Sequence, residues 1–144
     1  EAISEEQSLH RYAPGKWSVT EVAGHLCDAE RIFAYRGLRF ARGDETPLPG
    51  FDEASYVPSA GFERRGLRDI LDELRVLRQS TLMLFRGLDD AAGLRRGVAS
   101  GSPMSARAVD RIVKVARASE TSATGACSAP RAFSRAAMAS ATPA

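Results

Sequence analysis

The sequence predicts an all-α fold: three main helices and one long crossover connection. Two stretches carry that prediction. Ser18 to Gly43 and Leu67 to Leu88 both repeat apolar residues at helical spacing, and a third helix start at Ser102-Pro103 completes the set.

The first stretch is the best punctuated. Pro14-Gly15 is a turn pair, Ser18 suits an N-cap, and Glu21 three residues on completes a Ser-x-x-Glu capping box. Val22, Ala23, Leu26, Ala29 and Phe33 then line one face, while Asp28, Glu30 and Arg31 leave it. Arg36, Arg39 and Arg42 gather near the C-terminal end, where positive charge suits the helix dipole, and Gly43 offers a left-handed stop. His25 flanks the apolar stripe. A lone imidazole on a helix is more often a core or surface group with one hydrogen bond than a metal ligand. A protein zinc site needs at least three converging ligands.

The second stretch keeps Leu67, Ile70, Leu71, Leu74, Leu77, Thr81, Leu84, Phe85 and Leu88 on one face. Asp69, Asp72 and Glu73 precede Arg75 and Arg78, as dipole and i, i+3 pairing favour. This reads as a core helix with a solvated face and no chemistry. After a connection from Asp89 to Gly101, Pro103 takes the first helical position, and Met104, Ala108, Ile112, Val113 and Ala116 carry that helix to about Arg117.

The remaining segments are connections. Ser4 to Gln7 suits a short helical turn, His10 reads as an exposed loop residue, and Tyr12 and Trp17 bracket a turn that they pin against the helices. Gly43 to Glu63 carries Pro47, Pro49 and Pro58 and reads as largely irregular, with one helical turn over Asp52 to Val57. Leu48, Phe51, Tyr56 and Phe62 are too apolar for a free linker, so the crossover is expected to pack. Beyond Arg117 the chain is mostly Ala, Ser and Thr and lacks Leu, Ile and Val. Such a segment buries too little apolar surface to offset its ordering entropy. The chain thus divides into a bundle over residues 1–117 and a disordered tail over residues 118–144.

Composition narrows the function classes. A net charge of +2 in 144 residues is too small to argue for nucleic acid, and no apolar run is long enough to span a membrane. The first residues are polar and acidic, unlike a signal peptide. Cys27 and Cys127, a hundred residues apart in the sequence, match no zinc spacing or disulfide framework, which suits a reducing cytoplasm.

Tyr12-Ala13-Pro14-Gly15-Lys16-Trp17-Ser18, then Gly24-His25-Leu26 and Asp28-Ala29-Glu30-Arg31, then Gly43-Asp44-Glu45-Thr46-Pro47-Leu48-Pro49-Gly50-Phe51-Asp52, together resemble the DinB-like (damage-inducible) superfamily over roughly Ser4 to Val113. The resemblance implies an up-down-down-up four-helix bundle. Ser18–Arg42 would be the second helix, Leu67–Leu88 the third and Pro103 onward the fourth. The first helix would precede Glu1, so the bundle is expected to be incomplete here. The family implies a divalent metal, zinc or nickel, held by three histidines. His25 matches the one from the second helix. The other two belong in a Gly-His-Glu-x-His-His pattern on the fourth helix, where this chain instead has Arg117-Ala118-Ser119-Glu120-Thr121-Ser122. Glu120 could add an oxygen ligand, but one histidine and one distant carboxylate make a poor site. The tail's composition is what GC-rich coding DNA gives in a wrong frame, so a frameshifted terminus is expected.

Three functions follow. The family implies a metal-dependent hydrolase or thiol transferase, with His25 as ligand and a thiol or other small molecule as substrate. With two ligands missing, a non-catalytic bundle that binds a small molecule or partner, or an inactive gene product, fits the chain as written better. No catalytic residue stands out. Exposed apolar faces would also favour a homodimer.

Overall fold

The computed structural model describes residues 3–113. The chain divides into two compact units. One takes residues 3–32 with Asp52–Arg86, and the other takes Phe33–Phe51 with residues 87–113.

In the first unit, α1 (Glu5–Leu9) opens with a Ser4/Gln7 capping box. α2 (Val19–Ala41) begins as expected: Ser18 N–H donates to Glu21 Oε2 at 2.8 Å, and Glu21 N–H donates to Ser18 Oγ at 3.2 Å. The two helices are tied where Thr20 Oγ1 donates to Ser8 Oγ at 3.0 Å. The crossover is more regular than one turn. Asp52 caps α3 (Glu53–Ala60), which ends at Gly61 in the left-handed region, φ 62°. A 3₁₀ turn over Phe62–Arg64 leads to α4 (Leu67–Arg86). The Glu5 carboxylate accepts the Leu67 N–H at 3.0 Å, so α1 satisfies one of the orphan donors at the start of α4.

This unit's core is Ala23, Cys27, Val57, Phe62, Leu67 and Ile70, with Trp17, Val19, Leu74 and Leu77 packed on it. Gly24 makes the closest approach possible: a Cβ there would overlap the Phe62 ring. Two aromatic expectations fail. Tyr12 is 54% exposed and Tyr56 is 45% exposed, while Trp17, Val57 and Phe62 do the packing. A phenol hydroxyl is satisfied by water, whereas Val57 has no polar end to keep wet. The face of α4 is also less buried than its periodicity suggests. Leu67, Ile70 and Thr81 are buried, but Leu71 is exposed and Leu74, Leu77, Leu84 and Phe85 are half-buried.

In the second unit, the late part of α2 meets two elements that helical periodicity does not announce. Asp89 caps the short α5 (Asp90–Leu94), accepting the Ala92 N–H. A hairpin then replaces the expected connection and helix start. β1 (Arg96–Ala99) pairs antiparallel with β2 (Ser102–Ser105), in register Val98 with Pro103 and Ala99 with Ser102. Ser100 and Gly101 both hold positive φ, 51° and 74°, as a tight two-residue hairpin turn demands. Pro103 is therefore a strand residue. In a two-residue hairpin it falls at a position where neither partner needs an N–H for the ladder. The true helix cap is Ser105, whose Oγ accepts the Ala108 N–H at 3.1 Å, and residues 106–113 form α6.

The crossover joins this hairpin. Leu48 N–H donates to Val98 O at 2.9 Å, and Ser100 N–H donates to Leu48 O at 3.1 Å. Phe40, Ala41, Leu48, Ala99, Ala106 and Val109 are buried here. Gly97 lies under Phe40, whose ring a Cβ would overlap. The expected tail, with Cys127 and Glu120, and the expected helix end near Arg117 lie outside the described residues.

Candidate functional site

His25 stands in the second turn of α2, directly after Gly24. It is 8% exposed, so it belongs to the interior rather than to the helix surface. Its ring lies 5.1 Å from the Trp17 indole, centroid to centroid, tilted by 44°. Trp17 is held by the same core cluster that holds Ala23 and Cys27, so the partner ring is fixed. Burial pushes the imidazole pKa below its ordinary value, against the smaller pull of the Glu53 and Asp28 carboxylates. His25 is thus kept neutral at pH 7, the form in which an imidazole can bind a metal or accept a proton.

Glu21, Glu30 and Cys27 on α2 serve structure. Glu21 is buried and receives Arg11, with Nη2 2.5 Å from Oε1 and Nε 3.0 Å from Oε2. Burial alone would raise the Glu21 carboxyl; the hydrogen bonds from Arg11 and Ser18 outweigh it and hold it low. Glu30, which lies off the apolar stripe, is nonetheless buried and pairs with Arg78 at 3.1 Å. The Arg78 guanidinium reaches it from α4 and sets an opposite charge beside a buried carboxylate. Cys27 donates to Ile70 O at 3.6 Å, and burial pushes its thiol up to about 11, so it is an inert core group.

Arg36 is the other correction. Expected near the C-terminal end of the helix as a charge that suits the dipole, it is 5% exposed. Its Nη2 donates to Pro49 O at 2.9 Å and to Ser100 Oγ at 3.1 Å. Its guanidinium stands 5.4 Å from the Phe33 ring centroid and 5.8 Å from that of Phe51. Arg36 therefore ties the crossover to the hairpin turn, and burial lowers its pKa. Spacing alone could not reveal this role, because its partners come from 13 and 64 residues away.

Among the described residues no three His, Cys, Asp or Glu side chains converge in a way that could hold a metal ion. His10, the second histidine of the chain, is exposed at the C-cap of α1. No helix of the described residues is long and apolar enough to cross a membrane.

A family model for the DinB superfamily matches residues 1–113. The chain belongs to the DinB superfamily. Its fold, mostly helical with one small hairpin, also matches a solved structure, YfiT from Bacillus subtilis, described as a probable metal-dependent hydrolase with an unusual four-helix bundle topology. The TM-score is 0.66 at 22% identity, over 76% of this chain and 65% of that one. At that identity the likeness carries the fold alone. This DinB-superfamily chain therefore spans about two thirds of the length of YfiT. A search of curated proteins finds no match.

Proposed function

We propose that this DinB-superfamily chain is a non-catalytic, small-molecule-binding bundle that does not assemble the three-histidine metal centre its family implies. The donor set carries the reading. The sequence has two histidines, and His10 is exposed on α1 while His25 is buried against Trp17. A single imidazole competes poorly with water for zinc or nickel, whereas three converging ligands bind far more tightly. The histidines present do not fit that group. On this reading residues 1–117 are the binding module, residues 118–144 are an appended tail, and the protein works in the cytoplasm as a monomer or homodimer.

A second reading is favoured by one observation. His25 is buried and neutral, which is what a ligand of a metal-dependent hydrolase requires. Hydrolysis of a model ester by the full chain separates the two. We expect the rate with added zinc to equal that of buffer plus zinc, in the native chain and in His25→Ala alike. Zinc-stimulated hydrolysis that His25→Ala removes would establish the second reading instead.

A further inference from the structure

Seven arginines of the described residues lie within ion-pair distance of a carboxylate, among them Arg11 with Glu21, Arg78 with Glu30 and Arg107 with Asp90. Arg36 is the one buried arginine among the described residues, and it has no such partner there. A guanidinium stays charged at any physiological pH, and a buried charge is normally neutralised by an opposite one. Both of its protein acceptors, Pro49 O and Ser100 Oγ, are neutral, and both are served by Nη2. Nε and Nη1 donate to no described residue.

The surroundings of Arg36 are arranged for a small acceptor. Ser100 is held at positive φ in the hairpin turn, a costly conformation for a non-glycine residue, and this sets its hydroxyl beside Nη2. That hydroxyl accepts from Arg36 and still has its own proton to donate. Gly50 faces it: a Cβ there would come to 3.4 Å from Ser100 Oγ, so the missing side chain keeps the space beside the hydroxyl clear. The Phe33 and Phe51 rings add apolar surface beside the guanidinium.

We propose that Arg36 and Ser100 bind the carboxylate of a small organic acid with an apolar body, Arg36 supplying the charge and Ser100 Oγ a second hydrogen bond. Charge balance favours a monoanion. One buried cation is cancelled by one carboxylate, whereas a phosphate dianion would leave net negative charge in an apolar setting. The aromatic neighbours suit a hydrocarbon body rather than a fully hydrated anion. The inference stands on Arg36 and holds whether or not His25 takes a metal.

The test is a titration of the full chain with sodium benzoate, and separately with inorganic phosphate, at constant ionic strength. The readout is the ¹⁵N–¹H resonances of Arg36 Nε and of the Ser100 and Gly101 amides. We expect saturable benzoate binding that shifts the Arg36 Nε resonance, with phosphate at least about tenfold weaker. Removing one hydrogen bond to a charged group costs about tenfold in affinity, which is the loss expected for Ser100→Ala. Gly50→Val should block binding by filling the space beside Ser100 while leaving the Arg36 contacts to Pro49 and Ser100 in place. Arg36→Met should abolish it; if that variant does not fold, the other two decide. Absence of saturable benzoate binding, binding unchanged in both Ser100→Ala and Gly50→Val, or phosphate binding tighter than benzoate would each overturn the proposal.

Discussion

Along α2 the first and second halves handle buried charge in opposite ways. Glu21 and Glu30 in the first half each meet a guanidinium, from Arg11 and Arg78. Arg36 in the second half meets two neutral oxygens and two aromatic rings. The helix is the same, and its periodicity gives no warning of the difference. What decides whether a charge on a helix can be buried is the chain brought against it. In the first unit that chain carries cations. In the second it carries backbone carbonyls and a turn hydroxyl. A fully neutralised pair is a structural element, whereas a charge answered by dipoles retains a field that a ligand can use.

The sharpest way to break this contrast is to remove the cation from the first half. Arg78→Met leaves the Glu30 carboxylate buried without the guanidinium that reaches it. Breaking a buried pair by taking one partner costs about 3–5 kcal/mol. Urea denaturation should therefore show a loss of about 3 kcal/mol, most of it restored in the Arg78→Met/Glu30→Leu double variant. An unchanged midpoint would mean that the pair is no more than a surface contact.

The next effect concerns what the two halves share. Each unit brings an aromatic ring onto a glycine backbone, Phe62 on Gly24 and Phe40 on Gly97. In a helix interior Gly→Ala is normally stabilising by up to about 1 kcal/mol. Gly24→Ala should reverse that sign, with overpacking costing about 1–3 kcal/mol. Thermal denaturation checks it, and a raised melting temperature would show that the Phe62 ring moves aside freely.

Much of this arrangement was legible in the sequence, but unevenly. The Ser18/Glu21 capping box and the bounds of α2 and α4 follow from local chemistry, and the structure places them within two residues of expectation. The hairpin was not legible. Its strands are four residues long, its turn is Ser-Gly rather than Asn-Gly, and Leu48 from the distant crossover secures its outer edge. Pro103 instead mimicked a first helical residue, two places ahead of the real cap at Ser105. His25 could be singled out, but its packing against the tilted Trp17 ring could not. The burial of Glu30 and Arg36 was hidden because a charged residue off the apolar stripe reads as solvated, and the residues that bury these two lie far away in sequence.

The smallest effect separates the buried imidazole from the buried ion pairs. Burial lowers the folded-state pKa of His25 below its ordinary 6.5. As pH falls through that value, the unfolded chain takes a proton that the folded chain refuses. Stability therefore declines as pH falls from 6.5 toward the lowered pKa, and this part of the loss is complete below it. His25→Gln should remove that component and flatten the stability profile between about pH 7 and pH 5. An unaltered profile would mean that His25 takes its proton equally in both states.

The metal question is settled most directly by elemental analysis of the full chain after saturation with zinc or nickel and exhaustive dialysis, in parallel with His25→Ala. A buried imidazole with no converging His, Cys, Asp or Glu ligands among the described residues should retain neither metal in stoichiometric amount, and the two proteins should be indistinguishable. One ion per chain, present in the native sequence and lost in His25→Ala, would contradict the account.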